Sequence, residues 1–494
     1  MSTAARRAFF DRTHTDDLIA FLGTSPSPYH AVASAAERLE KAGFRQVAEA
    51  DAWDAAAGGR YLIRGGALIA WYLPEGAGPE TPFRIVGTHT DSPNLRVKPV
   101  PDTGSAGWRQ VAVEIYGGVP LNTWLDRDLG LSGRLALKDG SAGGGAGGAA
   151  PGGGGPAPPP PPPPRRRRPE DGRRARPPPA GRLGPGRRRG RGGVRAGRGV
   201  RAERPPPLLR VPQLAIHLDR QVNDGMKLDR QRHVTPIWGL GPVDEGSLIG
   251  YVAERAGLAA EEVAGWDLMT HDVQPASYLG RDRELLAGPR LDNLLSVHAA
   301  TAALAAVAVA AAGGEVELPY IPVLAAFDHE ETGSESDTGA QSPLLGNVLD
   351  RTVYARGGSP EDRARALAGT VCLSSDMGHA VHPNYSERHE PGHHPLPNNG
   401  PILKVNVNNR YATDGVGRAV FAAACEKAGV PWQSFVSNNA MPCGTTIGPI
   451  TAARLGIKTV DCGIAALSMH SARELCGAED PYLLASAIKA FLEG

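Results

Sequence analysis

The second half of the chain alternates strand-like apolar runs with helix-like segments, and this alternation restricts the fold more than any other feature. The runs "LPYIPVLAAF" and "KTVDCGIAALS" are typical of strands, whereas "LDNLLSVHAATAALAAVAVAAA" is typical of a long helix. Strands that alternate with helices indicate a sheet with helices packed on its faces. We therefore predict an α/β fold in which a mixed sheet is flanked by helices.

The first third of the chain also gives clear signals. Residues 17–43 favour two short helices that are interrupted at 25–28 and end at Gly43. The stretch "RYLIRGGALIAWYLP" predicts two strands joined at a Gly-Gly turn, and "FRIVGTHTD" predicts a buried strand that ends in polar residues. Residues 111–138 again favour strands.

Residues 139–207 differ from the rest of the sequence. They contain sixteen arginines, no lysine, four acidic residues and long glycine and proline runs, while the whole chain has a net charge of +1. The rest of the chain is therefore acidic. Such a tract cannot bury enough apolar surface to offset the entropy of ordering, so we expect it to be disordered or polyproline-II-like. RNA binding through this Arg/Gly-rich tract is an alternative function, although no aromatic residue lies between its arginines.

Cysteine usage and the terminal sequence bear on the cellular compartment. The five cysteines show no metal-ligand spacing, and the first thirty residues lack a signal-peptide profile. The longest apolar segment, 297–312, is shorter than a bilayer-spanning helix requires. These features predict a cytoplasmic protein that is not inserted in a membrane.

Several apolar runs or helix starts carry a carboxylate or an imidazole at their end. These residues are His89, Asp292, the pair Glu330 and Glu331, Asp376 and His470. Taken alone, each is more typical of a surface carboxylate, a helix N-cap or a hydrogen-bonded histidine. Because an α/β fold collects such residues at one edge of its sheet, two histidines and three carboxylates together favour a site for two divalent ions about 3.5–4 Å apart.

The adjacent glutamates suggest that each has a different role. On an extended backbone, neighbouring side chains point to opposite faces, so one of Glu330 and Glu331 can bind a metal while the other takes a proton from water. Asp91 follows His89 by two residues at a predicted strand end. That spacing suits an imidazole whose second nitrogen is held by a carboxylate.

These residues belong to motifs that resemble, in order, those of the aspartyl aminopeptidase family of dinuclear zinc exopeptidases. The motifs are "GTHTDSPNLRVKP", "WLDRDLGLSGR", "VPQLAIHLDRQVN", "GPRLDNLLS", "FDHEETGSES", "SSDMGHAVHPNYSERHE", "RYATDG", "MPCGTTIGPI" and "LSMHSARE". The resemblance runs from about residue 15 to the C-terminus, except in the Arg/Pro/Gly tract. It implies a zinc-exopeptidase-like catalytic domain at 1–100 and 240–494, with an inserted β-rich interface domain at 101–239.

The resemblance also implies a role for each residue of the site. His89 and Asp376 would hold one ion, Glu331 and His470 would hold the other, and Asp292 would bridge them. Glu330 would be the general base, and Asp91 would orient His89. Zinc is the expected metal, with cobalt or manganese as alternatives at so carboxylate-rich a site.

Family substrates are peptides with an N-terminal acidic residue, which requires a cationic or donor-rich pocket. The matching positions are Lys404, His382 and Tyr411. His217 matches a residue that reaches a neighbouring subunit's active site, so the resemblance implies a homo-oligomer, most simply a dodecamer. Peptides and further copies of this chain are thus the expected partners, and nucleic acid is not.

The sequence departs from the family pattern in two places. Residues 139–207 replace a shorter strand-forming segment, and their composition suggests a stretch of DNA read in a shifted frame. Ala440 stands where the family usually has aspartate, which would weaken support for the site. A broad-specificity dinuclear aminopeptidase and an inactive metal-binding protein therefore remain as alternatives.

Overall fold

The computed structural model describes residues 12–139, 142–144 and 207–494, with backbone only for 142–144. Within these ranges, the α-helices are α1 Thr13–Thr24, α2 Pro28–Lys41, α3 Ser247–Arg255, α4 Leu291–Ala312, α5 Leu344–Ala355, α6 Pro360–Ala368, α7 Gly415–Ala428, α8 Ile447–Leu455 and α9 Asp480–Glu493.

The strands of the described residues form two large sheets and two small ones. Their bounds are β1 Arg45–Gln46, β2 Gly58–Arg64, β3 Ala67–Leu73, β4 Phe83–His89, β5 Asn94–Ser105, β6 Trp108–Tyr116, β7 Asp128–Leu137, β8 Ala142–Gly144, β9 Leu209–Arg210, β10 Ile237–Leu240, β11 Val263–Asp272, β12 Ser277–Leu279, β13 Leu285–Gly288, β14 Ile321–Phe327, β15 Val371–Ser375, β16 Gly378–His379, β17 Ile402–Val405, β18 Gln433–Val436, β19 Lys458–Gly463, β20 Ala465–Ala466 and β21 Glu474–Gly477.

A nine-stranded mixed sheet lies at the centre of the fold, with strand order β1-β2-β3-β14-β4-β15-β19-β17-β18. Strand β14 pairs parallel with β4 and antiparallel with β3, and β15 pairs parallel with both β4 and β19. One face packs against α1, α2, α4, α7 and α9, and the other against α5, α6 and α8. The predicted mixed sheet with helices on its faces is confirmed.

A seven-stranded sheet forms the second, β-rich part, with strand order β11-β5-β6-β10-β9-β7-β8 and a further pairing between β11 and β7. Its apolar interior includes Leu95, Leu129 and Leu268, and helix α3 adds Leu248 to the same cluster. The predicted β-rich part is therefore present. Its strands lie between residues 94 and 272, and the predicted domain bounds at 101–239 stay a prediction.

The Arg/Pro/Gly tract overlaps the described residues at only a few positions. Within it, Ala142–Gly144 pair antiparallel with β7, so the expectation of disorder is wrong for these three residues. Pairing at a sheet edge needs only backbone hydrogen bonds, which the composition of the tract does not prevent. The expectations for 140–141 and 145–206 lie outside the described residues.

Helix α4 is mostly apolar because it runs through the core. Within the described ranges it is the single helix whose length and composition would suit a membrane span, yet most of its apolar window is buried inside the protein. Leu294, Leu295 and Leu304 have no exposed surface. A buried core helix accounts for this composition.

The two helices and the pair of strands predicted in the first third of the chain are confirmed. Helices α1 and α2 are separated at 25–27, and Gly43 follows α2 with a positive φ of 86°. Strands β2 and β3 pair antiparallel across a turn in which Gly65 has a φ of 55°. A residue without a Cβ adopts these left-handed conformations at little cost.

Candidate metal centre

Three neighbouring parallel strands end at the same edge of the central sheet and bring their polar residues together there. Strand β4 ends at His89, which lies opposite Phe327, the last residue of β14. Asp376 directly follows β15, and the two glutamates follow β14 after a short turn. Asp292, at the first turn of α4, and His470, after β20, complete the group. The structure therefore brings together the five predicted metal ligands and the predicted base Glu330.

Asp292 lies between the two histidines. Its Oδ1 atom is 3.4 Å from Nε2 of His89, and its Oδ2 atom is 3.4 Å from Nε2 of His470. On one side, Nε2 of His89 also lies 3.4 Å from Oδ1 of Asp376. On the other, Nε2 of His470 lies 3.3 Å from Oε2 of Glu331. The two oxygens of one carboxylate thus face two separate sets of ligand atoms.

The spacing of these atoms fits metal ions. Tetrahedral zinc ligands at about 2.0–2.1 Å from the ion lie roughly 3.3–3.4 Å from one another, which matches the contacts around Asp292. Oδ1 of Asp292 and Oε1 of Glu331 are buried without a hydrogen-bond partner among the described residues. Buried carboxylate oxygens without a partner are costly unless a cation satisfies them.

Residues 330–332 form a 3₁₀ turn, so the expected extended backbone at the glutamate pair is wrong. His329 precedes this turn with a φ of 62°, a conformation that reverses the chain at the strand end. The two carboxylates nevertheless face different histidines: Oε2 of Glu330 is 3.9 Å from Nε2 of His89, whereas Glu331 faces His470. Turn geometry, rather than strand alternation, separates them.

Asp91 lies beneath the glutamate pair. Its Oδ1 atom accepts the backbone N–H of Glu330 at 3.1 Å, and its Oδ2 atom accepts that of Glu331 at 3.1 Å. Nδ1 of His89 lies 3.0 Å from the carbonyl oxygen of Asp91 and 3.4 Å from its Oδ1 atom. Asp91 therefore contacts His89 with its backbone and its carboxylate, and it also fixes the glutamate turn.

The charges of the cluster shift its pKa values. Burial raises the pKa of Glu330 to about 8, and Asp376 and Asp91 add to this rise against the opposing charge of His89. Burial also raises the pKa of Glu331. Burial alone would lower the pKa of His470, but Asp292 and Glu331 raise it to about 10. The acidic groups therefore oppose one another's ionisation, a repulsion that a bound cation would relieve.

Lys404 is buried beside this cluster. Its Nζ atom donates a 2.6 Å hydrogen bond to the carbonyl of Met377 and lies 3.5 Å from Oδ2 of Asp376. Tyr411 is also buried, and its ring centroid is 5.4 Å from the same ammonium group. The structure brings Lys404 and Tyr411 together at the edge of the metal centre.

His382 lies on the loop that follows. Its backbone N–H donates to Nε2 of His389 at 3.0 Å, and its ring lies against Tyr385. Burial lowers the pKa of His379, and the charge of Lys404 adds to this. The substrate role predicted for His382 stays a prediction.

His217 and Ala440 lie on exposed turns. The neighbours Leu214, Ile216 and Leu218 have 57%, 51% and 75% of their surface exposed, and His217 takes part in none of the metal-type clusters of the described residues. Ala440 lies in a turn where its N–H donates to Oδ1 of Asn438. The single chain therefore does not bring His217 to the site.

Two buried residues support the site but were not predicted. The hydroxyl of Tyr116 donates a 2.7 Å hydrogen bond to Oδ2 of Asp91. Glu474 accepts the backbone N–H groups of Asp292 and His470. Glu474 lies four residues after a candidate histidine ligand, but no side-chain pattern in the sequence marks its contacts or those of Tyr116.

The sequence profile of the family described as aminopeptidase I zinc metalloprotease (M18) matches residues 21–145 and 188–492. The chain belongs to the M18 family. This M18 chain is thus a metalloprotease-type hydrolase of the aminopeptidase class, and the predicted family resemblance is confirmed.

Relatives and solved structures agree with this assignment. A probable M18 family aminopeptidase 2 of Streptomyces coelicolor is 66% identical over 486 residues, which cover 98% of this chain and 98% of the relative. The structure of Ape4 in complex with Nbr1 has a TM-score of 0.80 at 30% identity, covering 97% of this chain and 85% of that one. The S. cerevisiae mApe1 dodecamer has a TM-score of 0.74 at 27% identity, covering 97% and 96%. These solved structures support the M18 fold for the described part of the chain.

Proposed function

We propose that this chain removes N-terminal aspartate or glutamate from peptides with a pair of divalent ions, most simply zinc. His89 and Asp376 would hold one ion, Glu331 and His470 would hold the other, and Asp292 would bridge them. The observation that carries this proposal is the position of Asp292, whose two oxygens each lie 3.4 Å from a different histidine. A bridging carboxylate requires this arrangement.

When bound, such ions polarise a peptide carbonyl and lower the pKa of a water molecule. Glu330 is the base in this proposal: it accepts the proton of the attacking water and returns it to the amine that leaves. Its carboxylate lies on the His89 side of the cluster, with Oε2 3.9 Å from Nε2 of His89. Asp91 keeps Glu330 there through its backbone N–H.

The preference for acidic substrates is supported by Lys404. A buried ammonium group next to the metal centre can pair with the side-chain carboxylate of an N-terminal residue, and such charged contacts are strong where water is excluded. Tyr411, whose ring lies beside the same ammonium group, is proposed as a second substrate contact. His382 is proposed as a further donor from the adjacent loop.

We also propose that the chain works as a homo-oligomer, with a dodecamer as the expected form. The apolar residues around His217 are exposed in the single chain, and clusters of exposed apolar side chains mark protein interfaces. The mApe1 dodecamer shares this fold. In this proposal His217 extends into the active site of a neighbouring subunit.

The test compares the wild-type protein with Glu330→Gln and, as a matched control, Glu335→Gln, which changes an exposed glutamate five residues later. Metal content and hydrolysis of a peptide with N-terminal aspartate are measured for each. We expect Glu330→Gln to keep its metal and lose activity by a factor of at least about 100, in the range of general-base contributions. Full activity in Glu330→Gln would reject the assignment of the base.

A further inference from the structure

Glu474 is a buried carboxylate whose two oxygens both bind backbone groups of the metal centre. Its Oε2 atom accepts the N–H of Asp292 at 2.9 Å, and its Oε1 atom accepts the N–H of His470 at 2.8 Å. Only 2% of its surface is exposed. One side chain thus joins two residues that are 178 positions apart in the sequence.

Neither of these two residues is held in place by regular secondary structure. Asp292 has non-helical angles of φ −81° and ψ 106° within the first turn of α4. His470 follows β20 with a φ of 66°, in the left-handed region that few non-glycine residues adopt. The hydrogen bonds of Glu474 connect these two irregular backbones directly.

Asp91 uses the same kind of contact on the other side of the centre. Its two oxygens accept the N–H groups of Glu330 and Glu331, as those of Glu474 accept the N–H groups of Asp292 and His470. The four residues thus form two pairs, each held through its backbone by one buried carboxylate. Hydrogen bonds to an ionised carboxylate are stronger than those to a neutral acceptor.

We propose that Glu474 is a positioning residue that sets the geometry and affinity of the ion position shared by Asp292, His470 and Glu331. By fixing the two backbones, it keeps Oδ2 of Asp292 and Nε2 of His470 at 3.4 Å, the spacing that two zinc ligands adopt. This inference rests on the ligand roles proposed above for Asp292 and His470.

Glu474→Gln tests this role. The amide retains the shape of the side chain but replaces one acceptor oxygen with an NH₂ donor, so one of the two backbone N–H groups loses its partner. We expect zinc binding at one position to weaken about 10–100-fold in competition with a chelator, as for other residues that orient ligands. The visible absorption of the Co(II)-substituted protein should change, and kcat should fall more than KM rises.

Asp480→Asn is the matched control. Asp480 is also a fully buried carboxylate that accepts backbone N–H groups, but it holds the loop at Asn398 and Gly400 instead of the metal centre. We expect this variant to lose stability while its zinc affinity and Co(II) spectrum stay those of the wild type. The comparison separates positioning of the ligands from general support of the fold.

Glu474→Asp is the second variant, because it keeps both acceptors on a shorter side chain and should give an intermediate zinc affinity. If Glu474→Gln keeps the zinc affinity and the Co(II) spectrum of the wild type, the inference is overturned. It is also overturned if neither Glu474 variant folds, because the role of Glu474 would then be purely structural. If Glu474→Gln binds zinc like the wild type, Asp292→Asn shows which part of the argument is wrong. If Asp292→Asn also binds zinc like the wild type, the proposed ligand set is wrong. If Asp292→Asn loses zinc while Glu474→Gln does not, only the role of Glu474 is wrong.

Discussion

The hydroxyl of Tyr116 donates a 2.7 Å hydrogen bond to Oδ2 of Asp91, and this bond connects the two large sheets at the metal centre. Tyr116 is the last residue of β6 in the seven-stranded sheet, whereas Asp91 follows β4 of the nine-stranded sheet. The guanidinium of Arg96 lies 3.8 Å from the centroid of the Tyr116 ring and fixes it from the other side. The β-rich part therefore contributes directly to the position of the glutamate turn.

Tyr116→Phe is expected to weaken both stability and catalysis. Loss of a hydrogen bond to a buried charged group costs about 1.5–3 kcal/mol, and a less constrained Asp91 would hold the backbones of Glu330 and Glu331 less firmly. We expect kcat to fall about tenfold, as for other residues that support metal ligands. Thermal unfolding and steady-state kinetics on an acidic peptide measure the two effects.

Tyr29→Phe is the control for this prediction. Tyr29 donates to Oδ2 of Asp267 at 3.2 Å and has the guanidinium of Arg134 over its ring at 4.6 Å, a similar arrangement in which the acceptor is not Asp91. It should lose stability but keep its kcat. Equal losses of kcat in the two variants would show that Tyr116 has no specific role at the site.

Lys404→Met tests the source of substrate preference. If Lys404 pairs with an acidic substrate side chain, rates on peptides with N-terminal aspartate or glutamate should fall at least about 30-fold relative to leucine and alanine peptides, since losing a partner of a buried charge costs about 2–5 kcal/mol. The exposed Lys458, paired with Asp414, offers the control variant Lys458→Met. The measurement is kcat/KM on the four peptides.

A uniform loss would contradict this prediction. Nζ of Lys404 also lies 3.5 Å from Oδ2 of Asp376, so the ammonium group also offsets the charge of that carboxylate. If this were its whole function, all four substrates would be affected alike, and a broad-specificity aminopeptidase would become the better description.

His30 should make the protein sensitive to acid. Its Nδ1 atom lies 2.7 Å from Oγ of Ser27, and burial lowers its pKa from 6.5 to about 4, with a further contribution from Arg290. A histidine whose pKa is lower in the folded state stabilises the fold above pH 6.5, and this stabilisation is lost as the pH falls toward 4. Between pH 7.5 and 5 the loss is about 2 kcal/mol.

The comparison with His30→Gln isolates this contribution. Urea unfolding of both proteins at pH 7.5 and pH 5 should show that the wild type loses about 2 kcal/mol more than the variant over this interval. Parallel losses in the two proteins would mean that His30 binds protons equally in the folded and unfolded states. Groups that titrate in both proteins contribute equally to the two losses of unfolding free energy, so their contributions cancel in the difference.

Much of the metal centre could be predicted because sequence patterns mark strand ends. His89 and Asp376 stand where apolar runs stop, and parallel strands must bring such positions to one edge of the sheet. The turn at Glu330 could not be predicted, because its 3₁₀ geometry depends on the left-handed conformation of His329 and on hydrogen bonds to Asp91.

Contacts through the backbone were the least predictable part of the site. Glu474 binds the N–H groups of Asp292 and His470, and any residue type presents an N–H group, so no pattern of side chains reports this contact. Tyr116 reaches Asp91 across two sheets whose relative position is set by packing of the whole chain. Their roles could be derived only from the folded structure.

A mixture of two inactive variants tests whether His217 acts between subunits. His217 lies on an exposed turn next to Ile216 and Leu218, so in the proposed oligomer it completes a neighbour's site. His217→Ala and Glu330→Gln should each form oligomers of wild-type size by light scattering, with little activity.

When the two variants are dissociated and reassembled together, some sites will combine Glu330 of one subunit with His217 of another. We expect these mixed oligomers to recover up to about a quarter of wild-type activity, since half of the subunits carry Glu330 and half of their neighbours supply His217. No recovery in a mixture shown to exchange subunits would mean that His217 does not act in trans, and wild-type activity of His217→Ala alone would remove it from the active site.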